Sequence, residues 1–312
     1  MEARNGIMAG LRIGVIGLGR RWPRYREAIR ALSGEAHVQA VCDAAAAVAQ
    51  DEAQRLGCAA SGSVIELIER ADVDAVLLTG GQWYGLWPLT HAARAGKPIL
   101  CAGSLARDAQ ADEVRAKLPP KAPVHVTTWP AFELLTEAAV QQLGESLGSP
   151  RLALAAHVST EEGDPLESGA ALVLLQALAE TFASVPRAVT ATAPEGQPGF
   201  VSVVLQFEAG VAQLSLWGGQ AEVGRTWIEV ESEGGSLRAE MPRRLSWRDA
   251  EGSHELQLPG GLAEVWVVDR FVQAVRGGEG PACPFERAHQ ALTWLRAARK
   301  SRGEGGGVVR LQ

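Results

Sequence analysis

Cysteine is scarce in this chain, with four among 312 residues, and Cys42, Cys58, Cys101 and Cys283 form no C-x-x-C pair. All four lie in or beside apolar segments, so neither a zinc site nor a disulfide framework is indicated, and a reducing compartment, the cytoplasm, is expected. No stretch approaches the roughly 18 to 20 apolar residues of a membrane span, and the first ten residues lack the apolar run of a signal peptide, so no membrane partner is expected. Positive charge is not in excess. The net charge of -6 argues against a nucleic-acid partner. The 35 glycines follow no G-x-y period, and 46% hydrophobic against 21% charged residues excludes collagen and wholesale disorder. What remains is a globular chain long enough for about two domains.

The charge is unevenly spread. Residues 1–127 carry 15 basic and 13 acidic residues, and the rest carry 15 and 23, so the first part is the one suited to an anionic ligand. Much of its surplus sits in Arg20, Arg21, Arg24, Arg26 and Arg30, immediately after a glycine-rich turn. A solvated helix face is the plainer reading of such a run.

Leu11 to Ile16 reads LRIGVI, a β-branched run that ends in Gly17-Leu18-Gly19 and leads into helical spacing from Arg20 to Leu32. A strand from His37 to Cys42 ends at Asp43, and a helix from Ala44 to Leu56 follows. Helix Ser63–Arg70, strand Ala75–Leu78, a helix near Leu89–Ala95 and strand Pro98–Cys101 continue the alternation, which predicts a parallel sheet with helical crossovers. After Pro119-Pro120 the pattern changes. A strand near Val124–Thr128 and a helix over Phe132–Leu143 precede alternating runs at Phe200–Phe207, Val211–Trp217, Thr226–Ser232 and Leu256–Leu258, the pattern of an antiparallel meander. Helices over Ala263–Val275 and Phe285–Arg299 close the chain. Two domains are expected, 1–127 and 128–312.

The opening segment carries a dinucleotide signal. A helix N-terminus aims unpaired N–H groups at a pyrophosphate, Gly17 and Gly19 permit a tight turn, and Asp43 is placed to accept hydrogen bonds from a ribose hydroxyl. The third fingerprint position is Trp22, where a small residue is usual. Asp43 followed by Ala44 favours NAD, because the carboxylate repels a 2'-phosphate, whereas Arg20 or Arg21 would reverse that preference toward NADP.

The segments LRIGVIGLGRR, VDAVLLTG, HAARAGKPILCAGSLA and FVQAVRGGEGPACPFERAHQALTWLRAARKS, together with the meander between them, resemble the Gfo/Idh/MocA family of oxidoreductases. The resemblance spans nearly the whole chain; ESEGGSL is similar to the family's G-x-x-G-x-L segment but has Ser232 at its first glycine. It implies an α/β fold with an N-terminal Rossmann domain followed by an α+β domain on an open, mainly antiparallel sheet. It further implies NAD(P) as cofactor and a sugar, inositol or related polyol as substrate. The departures are specific. The family's usual lysine falls on Gly103, in Ala102-Gly103-Ser104, and its aspartate and histidine fall on Val173 and Ala177 of SGAALVLLQALAET. From Ala170 to Ala179 there is no His, Asp, Lys or Glu in any register.

Replacements are sought among the remaining polar residues. Gln82, Trp83, Tyr84 and Trp87 follow the carboxyl end of a parallel strand, beside Thr79, where such sheets bind ligands. Tyr84 is a candidate proton donor there, with packing as the alternative. His91 reads as a surface or capping residue. His157, in RLALAAHVSTEEGD near Glu161, Glu162 and Asp164, is a candidate base, with a structural role as the alternative. The candidate cofactor residues are therefore Gly17, Leu18, Gly19, Arg20, Arg21, Asp43, Thr79, Gln82 and Trp83. Two functions follow: an NAD(P)-dependent oxidoreductase on a small polar substrate, or a dinucleotide-binding sensor, partner subunit or scaffold without chemistry. An open sheet face carrying Phe200, Val203, Leu205, Phe207, Leu214, Leu216, Trp217 and Trp227 predicts a homodimer or homotetramer through that sheet.

Overall fold

The computed structural model describes residues 10–103, 105, 108–119, 122–197, 199–219, 224–277 and 284–311. In chain order the first part is β1 (Leu11–Ile16), α1 (Trp22–Ala31), β2 (Ala36–Cys42), α2 (Ala46–Leu56), β3 (Ala59–Ala60), α3 (Val64–Glu69), β4 (Ala75–Leu78), α4 (Gly81–Tyr84), α5 (Trp87–Arg94), β5 (Ile99–Ala102), α6 (Asp108–Lys117) and β6 (Val124–Thr127). The six strands form one parallel sheet in the order β3-β2-β1-β4-β5-β6. The strand order reverses between β1 and β4, with β2 and β3 laid down on one side and β4 to β6 on the other, the point where doubly wound sheets receive ligands at their carboxyl ends. The strands are buried on both faces, which is why LRIGVI, AVLL and ILCA are apolar throughout.

The second part comprises α7 (Pro130–Gln142), β7 (Pro150–Val158), α8 (Gly169–Thr181), β8 (Ala188–Thr192), β9 (Phe200–Gln206), β10 (Val211–Trp217), β11 (Arg225–Ser232), β12 (Gly235–Glu240), β13 (Arg244–Asp249), β14 (Gly252–Gln257), α9 (Leu262–Val275), α10 (Phe285–Gly303) and β15 (Val309–Arg310). Nine strands form a sheet ordered β14-β13-β12-β11-β7-β10-β9-β8-β15. It is mixed, because β7 pairs parallel with β10 and antiparallel with β11. The expected strand at Leu256–Leu258 overlaps the end of β14, ESEGGSL forms the turn from β11 into β12, and β13 with the start of β14 continues the meander in short, charged, half-exposed strands that the sequence pattern did not signal.

The chain divides into two compact units, Met1–Ser104 with Ala109–Thr127 and Gly261–Phe285, and Leu105–Asp108 with Thr128–Gly260 and Glu286–Gln312. A reading of two successive domains does not contain the return of residues 261–285 to the first unit. It has a physical cause: Val267, Val268, Phe271 and Val272 of α9 join one apolar cluster with Trp22, Tyr25, Ala28 and Ile29 of α1.

In the second unit, α7 and α8 cover one face of the sheet. The expected open apolar face is corrected here. Strand side chains alternate between faces, so Val203, Leu205, Leu214 and Leu216 are buried on the covered side and Phe207 is buried against Phe182. Phe200, Trp217 and Trp227 stay half-exposed on the other side. There they share the surface with a ladder of ion pairs in which Arg238 meets Glu229 at 3.0 Å and Glu240 at 2.7 Å, and Arg244 meets Glu255 at 3.0 Å. Arg238 also lies 4.7 Å from the Trp227 ring. Among the described residues no helix is long and apolar enough to cross a membrane.

Candidate functional site: a nucleotide edge and a histidine pocket

The turn after β1 is fixed by contact with the turn after β4. Gly17 has φ +87°, and a Cβ placed on it would stand 2.4 Å from Gly80 Cα, so no other residue fits without displacing a backbone. Thr79 is buried and its hydroxyl donates to Gly17 O, which locks the two turns together. Asp43 closes the third side. One carboxylate oxygen accepts from Leu18 N at 2.7 Å and the other from Ala45 N at 2.9 Å, so Asp43 shapes the glycine turn from the end of β2. Gly19 and Arg20 are exposed.

Trp22 does not block this turn. It points into the core, 2% exposed, and its indole N–H donates to the buried Glu52 carboxylate at 2.8 Å; Glu52 also meets Arg26 at 3.2 Å and Arg55 at 2.7 Å. The helix starts at Trp22 itself, with Pro23 in its first turn. No side chain caps it and no acidic residue lies in that turn, so its positive end faces outward uncompensated.

Arg21 behaves unexpectedly. Its guanidinium reaches across to the carboxyl end of β5 and donates to Ala102 O at 2.7 Å. A Cβ on Gly103 would lie 2.9 Å from Arg21 Nη1, so the glycine leaves room for this cation. Ser104 lies outside the described residues.

Tyr84 is packed rather than presented. Its hydroxyl is enclosed beside Cys42, its ring lies against Gly80, and burial pushes its pKa up to about 12. Trp83, in contrast, is 74% exposed on α4. The Gln82 side chain lies outside the described residues. His91 faces Glu69 at 3.3 Å with Trp87 at its ring edge, as a helix-surface residue would. Cys101 is fully buried and its thiol is pushed up to about 12 by that burial.

The second unit holds the other candidate. His157 is half-buried on the covered face of β7, its Nδ1 2.8 Å from Thr226 Oγ1 on β11 and its ring edge-on to Trp129. Burial lowers its pKa, and Glu161 pulls in the opposite direction. It lines a cavity of about 180 Å³ with Glu161, Glu162, Glu167, Ser168 and Trp217. The loop forming this cavity is held by Arg302 of α10, which binds both Asp164 oxygens, at 2.6 and 2.5 Å. Val173 and Ala177 on α8 are buried, so that helix offers alkyl surface where the resemblance places an acid and a base. Among the described residues no three His, Cys, Asp or Glu side chains converge to hold a metal.

The sequence reading missed Gly80 and Thr226, which become visible only through the contacts they make across strands, and it placed Arg21 among the cofactor residues without its reach toward β5. Gly80 did leave a trace, in the paired glycines of LLTGG.

Residues 11–107 match the model of an oxidoreductase family with an NAD-binding Rossmann fold, Gfo/Idh/MocA. No curated protein matches the sequence. Among solved structures, the chain resembles a protein assigned as a myo-inositol dehydrogenase from Sinorhizobium meliloti 1021, at 23% identity and a TM-score of 0.73 over 97% of this chain and 100% of that one. It also resembles an NAD-binding oxidoreductase from Klebsiella pneumoniae, at 18% identity and a TM-score of 0.82 over 97% and 99%. A levoglucosan dehydrogenase in complex with NADH aligns at 15% identity and a TM-score of 0.82 over 97% and 99%. Residues 11–107 thus match an NAD-binding Rossmann domain, and the whole chain shares the fold of these solved oxidoreductases.

Proposed function

We propose that this chain is an NAD-dependent oxidoreductase acting on a small polar, sugar- or polyol-like substrate without the lysine, aspartate and histidine usual in its family. The observation that carries the reading is the intact nucleotide turn: Gly17 against Gly80, with Leu18 N held by Asp43 and an uncapped helix behind it. Such a turn accepts a pyrophosphate at the helix N-terminus and a ribose at Asp43. Bound NAD would supply the hydride chemistry; Gly17, Leu18, Gly19 and Asp43 would hold it.

The protein must still manage a proton. His157 fits that task better than Tyr84, whose raised pKa and enclosed hydroxyl keep it protonated and out of reach. With its pKa lowered by burial, the imidazole is neutral at pH 7. If Nδ1–H donates to Thr226, the Nε2 lone pair is free to accept a proton. The test is NAD⁺ reduction and NADH oxidation across sugars, polyols and their oxidised forms. Turnover that falls in His157→Ala supports the reading, whereas turnover unchanged in that variant removes His157 from the mechanism.

A second reading rests on α8. With alkyl groups at Val173 and Ala177, the chain would bind a dinucleotide as a sensor, partner subunit or scaffold, and cofactor affinity without turnover on any substrate of the panel would favour it. Under either reading we propose a homodimer or homotetramer through the open sheet face, where Leu152 and Val211 are 39% and 40% exposed on paired strands. Light scattering that gives only 33 kDa would overturn this. The buried, unpaired thiols of Cys42 and Cys101 suit a cytoplasmic location.

A further inference from the structure

We propose that Arg21 is a substrate-specificity residue that reads a carboxylate, so that the substrate is a hydroxy or oxo acid rather than a neutral polyol. This rests on the cofactor reading above. The reasoning starts from the sheet order. Asp43 at the end of β2 marks the ribose side of the nucleotide turn and α1 marks the pyrophosphate, so the reacting half of a dinucleotide extends the other way, over β4 and β5. Arg21 leaves α1 in that same direction and is pinned to Ala102 O, at the end of β5. Its charge is therefore placed beyond the pyrophosphate position and away from the ribose.

The pinning uses Nη1. Among the described residues Ala102 O is the one hydrogen-bond partner of this guanidinium, and no carboxylate neutralises it. A planar fork held at one corner presents its remaining N–H groups in the geometry that matches a carboxylate, which a neutral hydroxyl cannot match. Gly103 is part of the device, since any side chain there would meet Nη1 at 2.9 Å and push the cation away. The exposed Trp83 lies on α4, which follows the intervening β4.

The test separates the cofactor from the acid. The protein is first titrated with NADH, and the saturated complex is then titrated with hydroxy acids (glycerate, tartrate, gluconate) and the matching alcohols (glycerol, threitol, glucitol). At least one acid should bind more tightly than its alcohol. Arg21→Ala should weaken that acid about tenfold or more and shift NADH affinity less than about twofold, and Arg21→Lys should restore only part, because it keeps the charge and loses the fork. Gly103→Ala should weaken the acid severalfold while leaving Arg21 present and the fold intact. Equal binding of acids and alcohols, no acid binding, or an Arg21→Ala variant that loses NADH and acid together would overturn the proposal, the last by returning Arg21 to the pyrophosphate. Should NADH not bind, the cofactor reading falls, and calorimetry of the free protein decides: acid binding that depends on Arg21 keeps the proposal, and its absence ends it.

Discussion

The carboxyl edge of the first sheet and the helix-covered face of the second differ in how tightly their residues are specified. At the first, a backbone-to-backbone contact at Gly17 and Gly80, a buried threonine and a bridging aspartate hold one turn in a conformation with little tolerance for change. At the second, α8 presents Val173 and Ala177 to a packed interior, and the polar groups lining that unit's cavity lie on β7 and the loop after it, where His157 stands beside three glutamates. Binding a dinucleotide requires a specified backbone, whereas proton transfer requires one group of suitable pKa within reach. The second requirement can be met from several elements of a scaffold, and the first cannot.

The largest effect that would break this comparison is on turnover. His157→Ala should lower kcat by about 10²- to 10⁴-fold, the range for removal of a general base, with NADH affinity unchanged. Next comes Gly17→Ala, which must separate two turns; we expect NADH binding to fall by about 100-fold or more and the melting temperature to drop, measured by titration and by thermal unfolding.

Two histidines sharpen the contrast. His157 is half-buried and lowered by burial while Glu161 opposes the shift; His125 on β6 is sealed against Phe271 and its pKa is lowered by burial to about 4. Between pH 6.5 and 4 the unfolded chain protonates this imidazole and the native chain does not. Its contribution to stability is complete above 6.5 and is lost as pH falls toward 4, by roughly 3 kcal/mol at most. Denaturant unfolding of His125→Phe should therefore show a flatter pH dependence across that window, and an unchanged slope would count against a neutral buried imidazole.

Smaller effects follow. Trp22→Phe removes one donor from Glu52, but Arg26 and Arg55 still face that carboxylate, so the expected cost is about 1 kcal/mol with NADH affinity retained. Asp43→Asn should weaken NAD more than NADP, by a few-fold, and equal effects on both would remove the ribose contact.

How much of this was legible in the sequence follows from range. Strands β1 and β4 and the turn at Gly17 could be read because a doubly buried parallel strand is apolar throughout and its turn needs glycine locally. The return of α9 to the first unit could not, because its apolar stripe fits any core and only α1 reveals which one. Strand faces failed for a related reason: Val203 and Trp217 are equally strand-like, and the period of two separates them only when the register is known. Tyr84 was left between proton donor and packing because an aromatic at a ligand edge reads the same whether its hydroxyl meets a substrate or, as here, Cys42.

The central claim is that the nucleotide turn works even though α8 carries none of the usual chemistry. Titration of the purified protein with NADH, following energy transfer from its nine tryptophans to bound nicotinamide, tests it most directly. Saturable binding that Gly17→Ala abolishes and His157→Ala leaves intact is the result expected. No binding of NADH or NADPH, by this signal and by calorimetry, would contradict the account.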